Sequence, residues 1–385
     1  MRKKSTVTIK LLVVFSLVFY LVAPGFTGFS QDNSESYSIN LCNYTIPETT
    51  YQSLDLNFDY HFYDDPELSD AGDINRGSAF GNYGFIYTHP DYSLNLASNA
   101  SVSLSQDELT YDAVGEARYN AYLTETDLFG FGGFQTTLSS SFSENVGVKV
   151  LTGSGFGRFK NVTPLVKAVL IRNMLQRRYV TDDVLPARLT RQIAQLIDKM
   201  GPEKSLDETV SDITDLLESE PDLEVEKLGA VEVLRVREII QEGTDQRLCG
   251  WEIRAGLGYE AIDPQGEARD FLVDGAIRFA RPFTTSSQLT LGLDFTSPFE
   301  LTESYTINAL ANYTYQFNRN VDTKFQYSLL YKQGNSLYYN HNYSATADIK
   351  IRRDLTSSVT VKLTDNSGYE EMTKEITIGL SYSLL

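Results

Sequence analysis

The 385-residue chain is poor in the side chains on which metalloproteins and most acid–base enzymes depend, with only two cysteines and three histidines. Two thiols exclude four-cysteine zinc sites and iron–sulfur clusters. His61, His89 and His341 do not stand at short metal-ligand spacing from Cys42 or Cys249, so no metal and no cofactor is expected. Positive charge is scarce as well: 33 Lys and Arg oppose 51 Asp and Glu, a net charge of −18, which argues against nucleic acid as a partner. After Ser30 there is no apolar run long enough to cross a bilayer as a helix. Aromatics, by contrast, are abundant, with 24 Tyr, 21 Phe and one Trp against 22% charged residues. Such a chain is too apolar to remain disordered.

Arg2, Lys3, Lys4 and Lys10 precede the apolar stretch Leu11 to Val22, and Gly28-Phe29-Ser30 supplies a small-x-small cleavage pattern. This is the layout of a secretory signal peptide over 1–30, with a run shorter than the roughly 20 residues of a membrane span. The mature chain is expected to begin at Gln31 with a net charge of −22, since the leader removes four cations and no acid. Ile39-Asn40-Leu41 before Cys42 is not a lipobox. Residues 31–50 are expected to form an N-terminal periplasmic segment.

Within 161–245 the only aromatic is Tyr179, and the apolar period there is helical. One helix is predicted from Thr163-Pro164 through Leu165, Val169 and Leu175. A second, with Pro186 in its first turn, carries Leu189, Ile193, Leu196, Ile197 and Met200 up to Gly201-Pro202. A third starts at the capping-box pattern Ser205 to Glu208 and uses Val210, Ile213, Leu216 and Leu217. A fourth follows Pro221 and uses Leu228, Val231, Leu234 and Ile239. Four short amphipathic helices make a small bundle whose core is marginal alone, so it should dock on something else.

The rest alternates with period two, as in Leu54, Leu56, Phe58, Tyr60 and Phe62 against Asp55, Asn57, Asp59 and His61. Six strands are predicted within 51–160 (53–63, 78–88, 92–104, 109–123, 132–142 and 145–157). Eight more are predicted within 246–385 (247–260, 268–280, 286–296, 304–317, 321–332, 337–352, 356–364 and 374–384). Gly153 and Gly155 should thin the sheet where the chain leaves for the helices. Segments of this length, in even number and two-faced, suit an all-β transmembrane barrel of about 14 antiparallel strands, closed because lipid cannot hydrate strand edges.

Together with the leader, these strands resemble porin-like outer-membrane β-barrel proteins of Gram-negative type over most of the mature chain except 161–245. The resemblance implies the outer membrane as location, its lipid and the barrel-assembly machinery as partners, and a channel or transporter for small solutes as function. The chain departs from it in ending Ser383-Leu384-Leu385 rather than on an aromatic. With the N-terminus in the periplasm, strand parity places the helical insertion there too, where it could bind a periplasmic protein or the cell wall; the barrel would then be its anchor. A soluble β-sandwich is a further reading of two-faced strands. Oligomeric state is not legible.

The wet faces carry Asp59, His61, Asp112, Glu116, Arg118, Asn120, Glu252, Arg254, Asp274, Arg278, Lys324, Gln326, Asp348, Lys350 and Arg352. They either line a water-filled lumen or pair across strands and fill it. Cys42 and Cys249 both fall near the periplasmic rim. An oxidising compartment permits a bridge that would strap the N-terminal segment across the mouth, and two separate thiols are the alternative. An Asp beside a His can activate water, yet Asp59 and His61 have no nucleophile elbow or second carboxylate pair to serve, so no enzyme is expected. His341 reads as interfacial and His89-Pro90-Asp91 as a turn, and Ser154 to Gly157 lacks the Gly-Lys-Ser/Thr ending of a phosphate loop.

Overall fold

The computed structural model describes residues 40–43, 49–63, 74–105, 108–123, 126–141, 146–179, 185–200, 204–220, 228–241, 246–263, 270–299, 304–318, 320–334, 337–352, 355–368 and 372–382. The signal peptide and most of the N-terminal segment lie outside these residues. A short 3-10 turn at Leu41–Asn43 precedes the strands β1 (Thr49–Tyr63), β2 (Ile74–Thr88), β3 (Tyr92–Ser105), β4 (Glu108–Tyr122), β5 (Leu128–Ser139) and β6 (Val146–Asn161). The helices α1 (Thr163–Tyr179), α2 (Ala187–Asp198), α3 (Leu206–Glu218) and α4 (Ala230–Gln241) follow. The chain then returns as β7 (Leu248–Ile262), β8 (Phe271–Pro282), β9 (Ser287–Pro298), β10 (Tyr305–Asn318), β11 (Val321–Gln333), β12 (Tyr338–Lys350), β13 (Leu355–Asn366) and β14 (Thr373–Tyr382).

All fourteen strands form one sheet in sequence order, every consecutive pair antiparallel. The period-two pattern dictates its register. Trp251, Ile253 and Leu257 of β7 stand opposite Phe279, Ile277 and Val273 of β8, and Leu289, Leu291 and Leu293 of β9 face Tyr313, Ala311 and Ala309 of β10. One face of the sheet is thereby apolar, and Trp251, Ile253, Leu257, Ile277 and Phe325 are exposed on it. The other face is concave, because its side chains meet across intervening strands: Arg118 of β4 reaches Glu252 of β7, and Arg247, just before β7, reaches Thr314 of β10.

At β5 and β6 the concave wall is packed. Phe129 and Phe131 are buried there although they point away from the apolar face. They lie over a trench of glycines: a Cβ at Gly155 would sit 2.3 Å from Phe129 Cζ, and one at Gly153 2.8 Å from Phe131 Cε1. The predicted fifth strand starts at 132, four residues late. Its true beginning, Leu128-Phe129-Gly130-Phe131, places its aromatics on the concave phase, which hides the alternation. Where β6 and β7 leave for the helices, Gly157 and Gly250 adopt φ of +111° and +139°, which side-chain-bearing residues rarely tolerate.

The helices pack in sequence, α1 on α2, α2 on α3 and α3 on α4, with α4 returning to α1. Asn161 Oδ1 accepts from Thr163 N at 3.1 Å at the start of α1. The α3 capping box is formed from both sides, Ser205 with Glu208. Leu165, Ile171, Leu189, Ile193, Ile213, Leu217, Val236 and Ile240 make the buried centre. Two predicted details differ. Pro186 is the residue before α2 rather than within it, and Met200 lies beyond its end. In the fourth helix Val231 and Leu234 are exposed, while Val236, Ile239 and Ile240 are buried. This helix begins only at Ala230, after Leu228, and its first-turn amides bond back to the Gly229 carbonyl.

Candidate functional site: the concave face and its charged wall

Strand alternation brings Arg118, Glu252, Arg254, Asp274 and Arg278 onto the same face of β4, β7 and β8, and they converge there. Arg278 Nη2 donates to both carboxylate oxygens of Asp294 on β9 at 2.6 and 2.8 Å. The other separations are looser: Arg118 to Glu252 3.6 Å, Arg254 to Glu252 3.8 Å, to Asp274 3.8 Å and to Asp294 3.9 Å. These exceed the 2.7–3.2 Å of direct hydrogen bonds and leave room for shared water. Arg118 Nε, Glu252 Oε1, Arg254 Nε and Asp274 Oδ1 are buried without a hydrogen-bond partner. Three guanidiniums are thus interleaved with three carboxylates, and Glu116 is half-buried on the same phase of β4.

Beyond β9 the concave face changes chemistry. Asn308, Asn312 and Thr314 alternate along β10, Thr346 and Thr360 share a hydrogen bond at 3.0 Å, and Thr364 Oγ1 donates to Asn342 Oδ1 at 2.8 Å. Asn99, Asp112, Val114, Asn308, Leu310 and Lys324 point to this side and are exposed. The concave surface is therefore filled at β5–β9 and open to solvent at β3, β4, β10 and β11.

The other sequence-predicted residues are more scattered. Asp112 accepts from Ser139 Oγ at the far end of β4. Asn120 lies buried against Ser93 Oγ, 3.1 Å away. Lys324 and Gln326 follow one another on the concave phase of β11. Asp348 stands opposite Asp322 in the ladder, and Lys350 Nζ approaches that second carboxylate at 3.1 Å. Arg352 is a correction: β12 ends at Lys350, and Arg352 is exposed in a turn closed by its own backbone bonds with Leu355. Asp59 and His61 are placed on β1 opposite Ser78 and Arg76, but their side chains lie outside the described residues. Asp294, the firmest partner in the cluster, was missed, although it shares its phase with Thr290 and Thr296 in a predicted strand. Arg247 was missed because it precedes the alternating run.

The helix-bearing rim is a polar junction. Arg247 is buried, its backbone N–H donates to Thr163 Oγ1 at 2.9 Å and its Nη1 to Thr314 Oγ1 at 3.1 Å. Gln288 Oε1 accepts from Leu248 N and its Nε2 donates to the Gln246 carbonyl. Beside it Cys42 and Cys249 form a disulfide with Cα atoms 5.5 Å apart, joining the N-terminal turn to the base of β7. On the opposite, apolar face His341 Nδ1 lies 3.0 Å from Tyr327 Oη, and a groove floored by Ala311 and Ala345 runs between Tyr313, Phe325 and Tyr343. Among the described residues no group of three His, Cys, Asp or Glu is arranged to hold a metal.

A family model described as "Protein of unknown function, DUF481" matches residues 244–337, which is β7 to β11 and less than half of the chain. No curated protein matches. Among solved structures, the BenF-like porin from Pseudomonas fluorescens Pf-5 superposes over 87% of this chain and 98% of its own, with 8% identity and a TM-score of 0.29. The CymD monoaromatic hydrocarbon channel superposes over 87% and 86%, with 10% identity and a TM-score of 0.28. Superpositions this loose carry no argument about what this chain does.

Proposed function

We propose that the chain is an outer-membrane β-barrel whose concave face lines a lumen passing small solutes, and that the interleaved charges of β4 and β7–β9 tune which ions pass. The observation that carries this reading is the opposition of the two faces: an exposed apolar face suited to lipid, and an inward polar face that is solvent-exposed along much of the sheet. The connections support the orientation. At the helical end they run from two to five residues apart from the helical insertion; at the other end they run from two residues, between β3 and β4, to eight between β7 and β8 and ten between β1 and β2. Barrels of this kind keep short turns in the periplasm, which favours a periplasmic position for the helices. Exposed Val231 and Leu234 on α4 favour a second role for the bundle, contact with a periplasmic partner.

The test is planar-bilayer conductance of refolded residues 31–385. Stable stepwise currents are the expected result. A protein that circular dichroism shows to be folded but that passes no current would overturn the pore and leave the barrel as an anchor for the helices.

A further inference from the structure

Burial of charge sets one side chain of the helical bundle apart from the rest. Among the described residues six charged side chains are buried: Arg172, Glu220, Glu232, Arg247, Glu252 and Arg254. Arg188 Nη2 donates to both oxygens of Glu220 at 2.8 and 2.9 Å, Arg247 donates to Thr314, Glu252 and Arg254 belong to the charged wall, and Glu232 is engaged as well. Arg172 of α1 is 5% exposed, its Nε is fully enclosed, and its guanidinium has neither a hydrogen bond nor an ion pair. Ala168 and Leu175, one turn to either side of it on α1, are buried and apolar. Lys167, the cation preceding it on α1, donates to the Ile240 carbonyl at 2.7 Å. Burial pushes the Arg172 guanidinium below its ordinary range, with no carboxylate opposing that shift.

We propose that Arg172 is the receptor of an anion site in the helical bundle and that its ligand is a small aliphatic monocarboxylate. An uncompensated buried charge is strongly destabilising, and a guanidinium cannot escape by releasing its proton. Where a buried charge in this bundle is structural it is matched, as Glu220 is by Arg188; Arg172 lacks only the anion. Its flat fork of N–H donors fits the two oxygens of a carboxylate. A single cation balances a single negative charge, whereas a phosphate dianion would leave an excess in a site poorly screened by water. Buried Ala168 and Leu175 give the alkyl body of the ligand apolar neighbours, and an opening of 5% favours a small one. The site lies in the helices, so it stands whether or not the barrel conducts.

The test is hydrogen exchange of the refolded mature chain, residues 31–385, read at the amides of α1 at constant pH and ionic strength. Acetate at about ten times its dissociation constant should slow exchange about tenfold relative to chloride. Arg172→Met removes the unbalanced charge, so this variant should exchange more slowly than the native protein without acetate and should not respond to it. Arg172→Lys keeps the charge without the fork and should need more acetate for the same effect, which keeps the test open if the Met variant does not refold. Equal protection by acetate and chloride, or a response to acetate that survives in Arg172→Met, would overturn the site. Faster exchange of Arg172→Met than of the native protein without acetate would do the same, because the charge would then be balanced already. Phosphate protecting as well as acetate at neutral pH would overturn the monocarboxylate, and protection by acetyl-alanyl-alanine but not by acetate would overturn the small ligand in favour of a peptide terminus.

Discussion

Single side chains in this protein do unequal work. Arg254 is the cation that approaches all three of Glu252, Asp274 and Asp294, so Arg254→Met leaves the three carboxylates with less countercharge between them. The expected outcome is a shift of reversal potential toward cation selectivity in a salt gradient, with Lys324→Met, on the open part of the wall, giving a smaller one. Glu208 shows a different kind of dependence. Its carboxylate accepts from the Ser205 backbone N–H and then from the Ser205 hydroxyl, which together hold it below its ordinary range. A lowered folded value means full support of α3 above the unfolded value of about 4.3, lost as pH falls through the folded one. Protection against hydrogen exchange in the first turn of α3, measured relative to the intrinsic chemical rate, should therefore fall on acidification below about pH 4. Glu208→Gln should abolish that dependence, and Ser205→Ala should cost about 1 kcal/mol at neutral pH.

Elements were legible to different depths. The strands were readable because one face meets an apolar medium and the other does not, so period two is written into nearly every one. β1, β2 and β5 each begin four residues before their predicted starts; at β5 the cause is that Phe129 and Phe131 pack inward onto Gly155 and Gly153, a need set by the neighbouring strand. The same contact makes β5 sensitive. Gly155→Val drives methyl groups into Phe129 and the Ile253 carbonyl, 2.7 Å from the added Cβ, and is expected to abolish the heat-modifiable folded band on a gel. Phe129→Ala alone should fold with a loss of about 3–5 kcal/mol, read as a lower unfolding midpoint in denaturant. Among the helices, the capping box marked α3 correctly, whereas in α4 only Ile239 of the predicted stripe is buried in the described helix, with Val236 and Ile240 beside it and Val231 and Leu234 exposed.

On the scale of the whole molecule, the disulfide is the longest covalent tie, spanning 207 residues between Cys42 and Cys249. It binds the N-terminal turn to the base of β7, while the same chain enters the sheet at β1, six strands away. Closing so long a loop removes chain entropy from the unfolded state, about 5 kcal/mol in the loop-closure estimate. The double variant C42S/C249S should accordingly unfold at lower denaturant. The native protein should change gel mobility on reduction, and an unchanged mobility would mean the thiols are not bridged in solution.

Composition and periodicity alone determined that the chain is built of two-faced strands interrupted by one aromatic-poor helical block, because burial against an apolar medium repeats at every second residue and helix packing at every third or fourth. They also set which strand residues share the wet face. What only the tertiary structure decided was which of these meet. Asp112 and Arg278 have equal standing in the sequence, yet one caps a strand end beside Ser139 and the other pairs with Asp294 inside a buried cluster. That difference depends on sheet curvature and on the glycines that let β4 approach β7 over β5 and β6, and neither is encoded in the alternation of any single strand.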